Sequence, residues 1–101
     1  MPVLRYTASA ENDLLDAWLF IAEDNQSVAD RLLETINQEA TQLLAHPEMG
    51  VRRPELANGI RIWPTSTPYL LFYYPDNEGI IVARVLHHAR DIQSIQWWPR
   101  Q

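Results

Sequence analysis

The chain has 101 residues, of which 47% are hydrophobic, and a formal net charge of −5 at pH 7. This length suits one domain spanning residues 1–101 and leaves little room for a second. All eight basic residues are arginine and there is no cysteine. The composition therefore excludes a disulfide framework and thiolate chemistry, and it lacks the basic excess typical of proteins that bind nucleic acid through its phosphates.

The first half of the chain has the pattern of a short strand followed by two helices. Val3 to Tyr6 is prone to form a strand, and Thr7 after it is a good helix N-cap. Apolar residues then recur with helical spacing over residues 8–23 and again over 27–46, where Pro47 ends the pattern. We predict two helices joined by a short break, which pack as an antiparallel hairpin.

Two details of these helices are also predicted. Ser27, with Asp30 three residues later, suits the start of the second helix. Leu15 and Leu19 widen the apolar stripe of the first helix, so we expect two neighbouring elements to cover it. The large apolar residues that we expect in the core are Leu14, Trp18, Ile21, Leu32, Ile36, Leu43, Phe72, Val82 and Val85.

After Pro47 the pattern changes from helices to strands. A segment rich in Pro and Gly predicts a loop, and strands are predicted at 60–64, 69–74 and 80–86, the last two joined by a tight turn. Residues 69–74 are apolar throughout, which is typical of a central strand buried on both faces or of a strand that faces a partner. The order β-α-α-β-β-β predicts an α+β fold, with the helical hairpin packed on one face of a small, mainly antiparallel sheet.

Two sequence features would indicate a membrane or secreted protein, namely a long apolar segment and a signal peptide. The chain's longest apolar runs fall well short of the roughly 20 residues that a membrane-spanning helix needs. The N-terminal segment lacks the charge and hydropathy pattern of a signal peptide. We therefore expect a cytoplasmic protein with no membrane association.

Four stretches of the chain contain motifs. The first helix carries Leu14, Trp18, Ile21, Ala22 and Asp24; residues 46–56 read H-P-E-M-G-V-R-R-P-E-L; residues 68–73 read P-Y-L-L-F-Y; and residues 80–92 read I-I-V-A-R-V-L-H-H-A-R-D-I. In their order and spacing these stretches resemble the ParE branch of the ParE/RelE toxin superfamily, over nearly the whole chain. The resemblance implies a toxin of a type II toxin–antitoxin system, which stabilises a plasmid or chromosomal region and blocks DNA gyrase by binding it.

The resemblance also implies partners and binding residues. A cognate antitoxin would hold the toxin silent in a hetero-oligomer, laying an extended and helical segment across the sheet and the hairpin. Its acidic residues would pair with arginines, and apolar and aromatic side chains would be buried beneath it. No catalytic residue, cofactor or sequence-specific contact to nucleic acid is implied. The residues expected to bind antitoxin or target are Arg61, Tyr73, Tyr74, Arg84, His87, Arg90, Trp97 and Trp98.

Three alternatives remain open from the residues themselves. The first is a ribosome-dependent messenger RNA endonuclease of the RelE kind, with Arg61 and Arg84 stabilising phosphate charge and His87 moving a proton. The second is structural, with Arg84 paired to a helix carboxylate and with Arg90 and Asp91 holding the tail in place. The third is a degenerate member of the family that binds antitoxin but is not toxic, because Tyr74 and His88 replace a basic residue and a glycine of the family pattern.

A metal site is not predicted. His87 and Asp91 are four residues apart and His88 adjoins the first of them. No third ligand has a suitable spacing. We therefore expect neither a metal nor a cofactor.

Overall fold

The described part of the chain folds as two helices packed on a five-stranded sheet. The computed structural model describes residues 1–90 together with Ile92 and Ile95. The elements are β1 (Val3–Tyr6), α1 (Ala8–Ala22), α2 (Gln26–Ala45), β2 (Val51–Arg52), β3 (Arg61–Pro64), β4 (Tyr69–Asp76) and β5 (Gly79–His87). The predicted α+β fold is therefore confirmed, with one further short strand, β2, in the segment predicted to be a loop. Within the described part of the chain, neither helix is long and apolar enough to cross a membrane.

The sheet places the chain's first strand beside its last. The strand order is β1-β5-β4-β3-β2, so β1 and β2 form the two edges. Among the described strands, only the β1–β5 pair is parallel, and the other three pairs are antiparallel. The predicted, mainly antiparallel sheet is thus confirmed, and an irregularity in the β4–β5 register falls between Phe72 and Tyr73.

Side-chain caps determine where both helices begin. The Thr7 hydroxyl accepts a hydrogen bond from the Ala10 amide (3.0 Å) and donates one to the Ala83 carbonyl of β5 (2.8 Å). It therefore caps α1 and ties that helix to the sheet. The second helix begins at Gln26, one residue before the predicted start at Ser27. Its cap is Asn25, whose side chain accepts a hydrogen bond from the Val28 amide (3.1 Å).

Apolar side chains fill two clusters, one on each face of the sheet. The helices cover the first, which contains Leu71 and Tyr73 of β4. The second contains Phe72 and Tyr74 of the same strand. Consecutive residues of β4 are therefore buried on opposite faces, as the apolar run 69–74 predicted for a central strand. Leu56 of the loop after β2, together with Ile92 and Ile95, packs against the second cluster.

Most of the predicted core is confirmed, but α1 is more exposed than expected. Leu32, Ile36, Leu43, Phe72, Val82 and Val85 are all buried. Leu14 and Ile21 are half-buried against the first cluster. Trp18 does not belong to the core: it is half-buried, and its indole N–H donates to Asp30 of α2 (2.8 Å). A Trp side chain combines a large apolar ring with one N–H donor. Here the donor binds Asp30 on the exposed surface between the two helices, so the Trp18 ring stays partly in contact with water.

Candidate functional site

Arg84, a predicted binding residue, connects the sheet to the first helix. Its Nε donates to Asp13 Oδ2 (2.7 Å) and its Nη2 to Asp13 Oδ1 (2.9 Å), and the Val85 amide also donates to Oδ2 (2.9 Å). The side chains of Arg84 and Asp13 are only 19% and 10% exposed. The hydrogen bonds that Arg84 donates to Asp13 raise the pKa of the Arg84 guanidinium above its usual value. The part of the structural alternative in which Arg84 pairs with a helix carboxylate is therefore confirmed, whereas its other part depends on Asp91, which lies outside the described residues.

Arg61 and Tyr73 hold the segment that follows α2 against the sheet. Arg61 Nη1 donates to the carbonyls of Glu48 (3.1 Å) and Gly50 (2.8 Å). The Tyr73 hydroxyl donates to the Pro47 carbonyl (2.8 Å) and accepts from the Gly50 amide (2.9 Å). Tyr73 is fully buried, and this burial raises the pKa of its hydroxyl. The Tyr73 ring also fills the space where a side chain at Gly50 would lie. Packing against Tyr73 therefore explains why this position of the loop is a glycine.

This arrangement predicts that Tyr73→Phe destabilises the fold although the ring is kept. The substitution removes the partner of the Pro47 carbonyl and of the Gly50 amide, and we expect the free energy of unfolding to fall by about 1–3 kcal/mol. Urea denaturation followed by tryptophan fluorescence measures it. Tyr69→Phe is the matched control, because Tyr69 is half-buried and we expect a change within about 0.5 kcal/mol there. Equal losses in the two variants would show that these hydrogen bonds do not hold the loop.

His87 and Arg90 lie together at the end of β5. They line a groove of about 180 Å³ with Asp16 of α1. The His87 ring meets Tyr69 edge to face, with centroids 5.4 Å apart, and stacks on His88 at 4.6 Å. Its Nδ1 accepts from the Ala89 amide (3.1 Å), so in the neutral ring Nε2 carries the proton. Both His87 and Arg90 are exposed, so this groove can meet a partner.

The three residues of the nuclease alternative do not form one cluster. Arg61 is in register with Tyr73, whereas His87 is in register with Tyr69. Four residues of β4 separate those positions, which is about 13 Å in the strand direction alone. Arg84, for its part, is bound to Asp13. The structure thus brings together His87 and Arg90, and separates both from Arg61.

The remaining predicted residues divide into two groups. Tyr74 is buried in the second cluster, and this burial raises the pKa of its hydroxyl. Trp97, Trp98 and Asp91 lie outside the described residues. Among the residues that the structure does describe, no group of three or more His, Asp or Glu side chains is close enough to hold a metal ion.

An exposed apolar surface on α1 was not predicted as a binding site. Leu15, Leu19 and Phe20 are 54%, 51% and 76% exposed. Two neighbouring elements, α2 and β5, cover α1 as expected, but within the described part of the chain neither of them covers Leu15 or Leu19, and this side of the helix is left to solvent. The signal was present in the sequence, since α1 has more large apolar residues than one buried stripe requires. We call these three residues the α1 apolar face.

Comparisons with known proteins agree with this fold. The family described as "ParE toxin of type II toxin-antitoxin system, parDE" matches residues 4–92. A solved structure titled "Chromosomal ParDE TA system from P. aeruginosa" superposes with a TM-score of 0.72 at 19% identity, covering 86% of this chain and 96% of that one. No curated protein matches. Because the family match extends over most of the chain, the protein belongs to the ParE toxin family of type II toxin–antitoxin systems.

Proposed function

We propose that this protein inhibits DNA gyrase by binding it, and that a cognate antitoxin neutralises it by forming a hetero-oligomer. The observation that carries the proposal is the family match over residues 4–92. The chain would then act by occupying a protein surface and would have no catalytic residues of its own.

The surface supports binding in preference to RNA cleavage. Cleavage of a phosphodiester needs cations that converge on one phosphate. Here Arg84 is held by Asp13, Arg61 is far from His87 along the sheet, and the net charge is −5. The α1 apolar face instead exposes the kind of large side chains that a protein partner buries.

The antitoxin is the partner that best fits the α1 apolar face. An amphipathic helix covers such a face with apolar residues spaced three and four apart. Acidic side chains of the same segment would pair with Arg90 and Arg61, whose side chains form no ion pair with any described residue. Arg84 contributes indirectly in this account, by fixing α1 against β5.

This assignment predicts the effect of Phe20→Ser. Phe20 is 76% exposed, so we expect the stability of the free toxin to change by less than about 0.5 kcal/mol. Binding of the antitoxin encoded by the neighbouring reading frame should weaken by about 2 kcal/mol or more if Phe20 is buried in the complex. Titration calorimetry of both variants measures this. Gln38→Ser on the exposed surface of α2 is the control and should bind like the parent; equal affinity for Phe20→Ser would remove the α1 apolar face from the interface.

Induction of the toxin alone in cells distinguishes three hypotheses: gyrase inhibition, cleavage of messenger RNA, and a degenerate family member that is not toxic. Under the proposal, plasmid DNA loses negative supercoiling while messenger RNA stays intact. Cleavage of messenger RNA on translating ribosomes with unchanged supercoiling would assign the protein to the RelE mechanism. Normal growth with both readouts unchanged, from a folded protein that still binds its antitoxin, would identify a degenerate member of the family.

A further inference from the structure

A polar pocket at the β2 edge of the sheet is separate from the α1 apolar face and from the groove that His87 and Arg90 line. Its volume is about 270 Å³, and Arg52, Arg61, Gly59, Ile60 and Pro75 are among its lining residues. It lies on the short β2–β3 pair and the loop between those strands. A cavity of this size is slightly smaller than typical ligand pockets, so it suits one or two side chains of a peptide.

Two arginines oppose each other across this pocket. Arg52 and Arg61 are directly paired in the antiparallel β2–β3 register. Like charges at opposing positions of neighbouring strands destabilise a sheet. An anion between them would remove that repulsion, and the planar guanidinium groups are well suited to bind a carboxylate.

The carboxylates nearby do not neutralise this pair. Asp76, next to Pro75 of the pocket wall, is bound to Arg5 (2.7 Å), and Glu78 also pairs with Arg5 (3.3 Å). Glu55 is bound to Arg53. The Glu48 carboxylate forms no ion pair with either arginine, and only its backbone carbonyl accepts from Arg61. Within the described residues, both guanidinium groups therefore lack an anionic partner, although the chain as a whole is acidic.

The wall of the pocket is organised before any ligand arrives. Arg53 N donates to the Ile60 carbonyl (3.1 Å), Leu56 N to the Arg53 carbonyl (3.0 Å), and Ile60 N to the Ala57 carbonyl (3.2 Å). These bonds close the loop on itself, and two bonds to backbone carbonyls fix the position of Arg61. Because the loop and Arg61 are already ordered, less conformational entropy is lost when a ligand binds.

We propose that this pocket binds a carboxylate side chain of an acidic, partly apolar peptide segment, held between Arg52 and Arg61. A peptide fits better than the phosphates of a nucleic acid for two reasons. Met49 and Val51, which precede Arg52, are 42% and 63% exposed. A segment that lies along the β2 edge reaches both faces of this strand, so its apolar side chains would cover Val51 while its carboxylate meets Arg52. A nucleic acid carries a charge at every nucleotide, so the acidic chain, with its net charge of −5, repels it more strongly than a peptide in which charged and apolar side chains alternate. This inference rests on the proposed pairing of acidic antitoxin side chains with Arg61 and extends it to Arg52; it does not require gyrase to be the target, so its peptide test can fail while gyrase is still inhibited.

The test uses the full chain and synthetic probes. The peptide probe is a capped hexapeptide in which glutamate alternates with leucine, and its comparison is the same peptide with glutamine in place of glutamate. Arg52→Gln is the informative variant, because Arg52 is exposed and its side chain supports no other described residue. Arg31→Gln is the matched control, since Arg31 is an exposed arginine of α2. Titration calorimetry at low ionic strength gives the dissociation constants.

We expect the glutamate peptide to bind, and Arg52→Gln to weaken it about tenfold, the loss of one charge-assisted pair. Arg31→Gln should leave the dissociation constant unchanged, and the glutamine peptide should bind at least about tenfold more weakly. Unchanged binding by Arg52→Gln, or an equal loss in both variants, would overturn the proposal. An oligothymidylate that binds more tightly than the peptide, and does so through Arg52, would overturn it in favour of a phosphate site.

Discussion

Gly79→Ala is expected to be among the most damaging single substitutions in the chain. Gly79 begins β5 with φ +140°, a conformation that side-chain-bearing residues rarely adopt, and a Cβ there would overlap the Val3 carbonyl oxygen and lie 2.6 Å from the Val3 nitrogen. Val3 is in register with Gly79 in the parallel β1–β5 pair. The methyl group would therefore separate β1 from the sheet, and we expect the free energy of unfolding to fall by about 4 kcal/mol or more.

Gly59→Ala is the matched control for this prediction. Gly59 also has a positive φ, +87°, but the nearest atom to a Cβ would be Tyr74 Cδ1 at 3.8 Å, an ordinary contact. Only the backbone strain remains, and we expect a loss of about 1–2 kcal/mol. Chemical denaturation of the two variants under the same conditions compares them. Similar losses would mean that the close approach of Val3 has little energetic importance.

Arg84→Ala is expected to destabilise the protein by about 3 kcal/mol, because it leaves Asp13 largely buried without its cationic partner. Asp13 would keep only its hydrogen bond from the Val85 amide. Differential scanning calorimetry should show a lower melting temperature. Arg31→Ala, at an exposed position of α2, should change stability by no more than about 0.5 kcal/mol.

A double variant distinguishes the stability that comes from the pairing of Arg84 with Asp13 from the stability that comes from the aliphatic part of Arg84. Asp13→Asn with Arg84→Met removes both charges and keeps a side-chain oxygen that accepts from the Val85 amide, so that no buried carboxylate or N–H is left unpaired. We expect the double variant to recover most of the stability that Arg84→Ala loses. A double variant as unstable as Arg84→Ala would show that the aliphatic part of Arg84, and not its pairing with Asp13, stabilises the junction between α1 and β5.

The helices were predictable because their signals are local. Thr7 and Pro47 act within a turn of their positions, and the apolar spacing between them is unambiguous. The strand β2 has only two residues, too few to show an alternating pattern. It was therefore missed, and with it the opposition of Arg52 and Arg61.

The candidate site was only partly predictable, because its chemistry depends on contacts between distant parts of the chain. Arg84 and Asp13 are 71 residues apart, and sequence spacing indicates only that Arg84 has some acidic partner on a helix. The four-residue offset between Arg61 and His87 likewise depends on strand register. The exposure of Phe20 depends on which side of α1 meets the sheet, which helical spacing alone did not determine.

Inhibition of purified DNA gyrase is the most direct test of the central claim. Relaxed plasmid, gyrase and ATP are incubated with increasing amounts of the purified protein, in the absence of RNA and ribosomes. The account predicts that supercoiling falls as the protein is added and is restored by an equimolar amount of antitoxin. Full supercoiling activity in the presence of an excess of folded protein that still binds its antitoxin would contradict it.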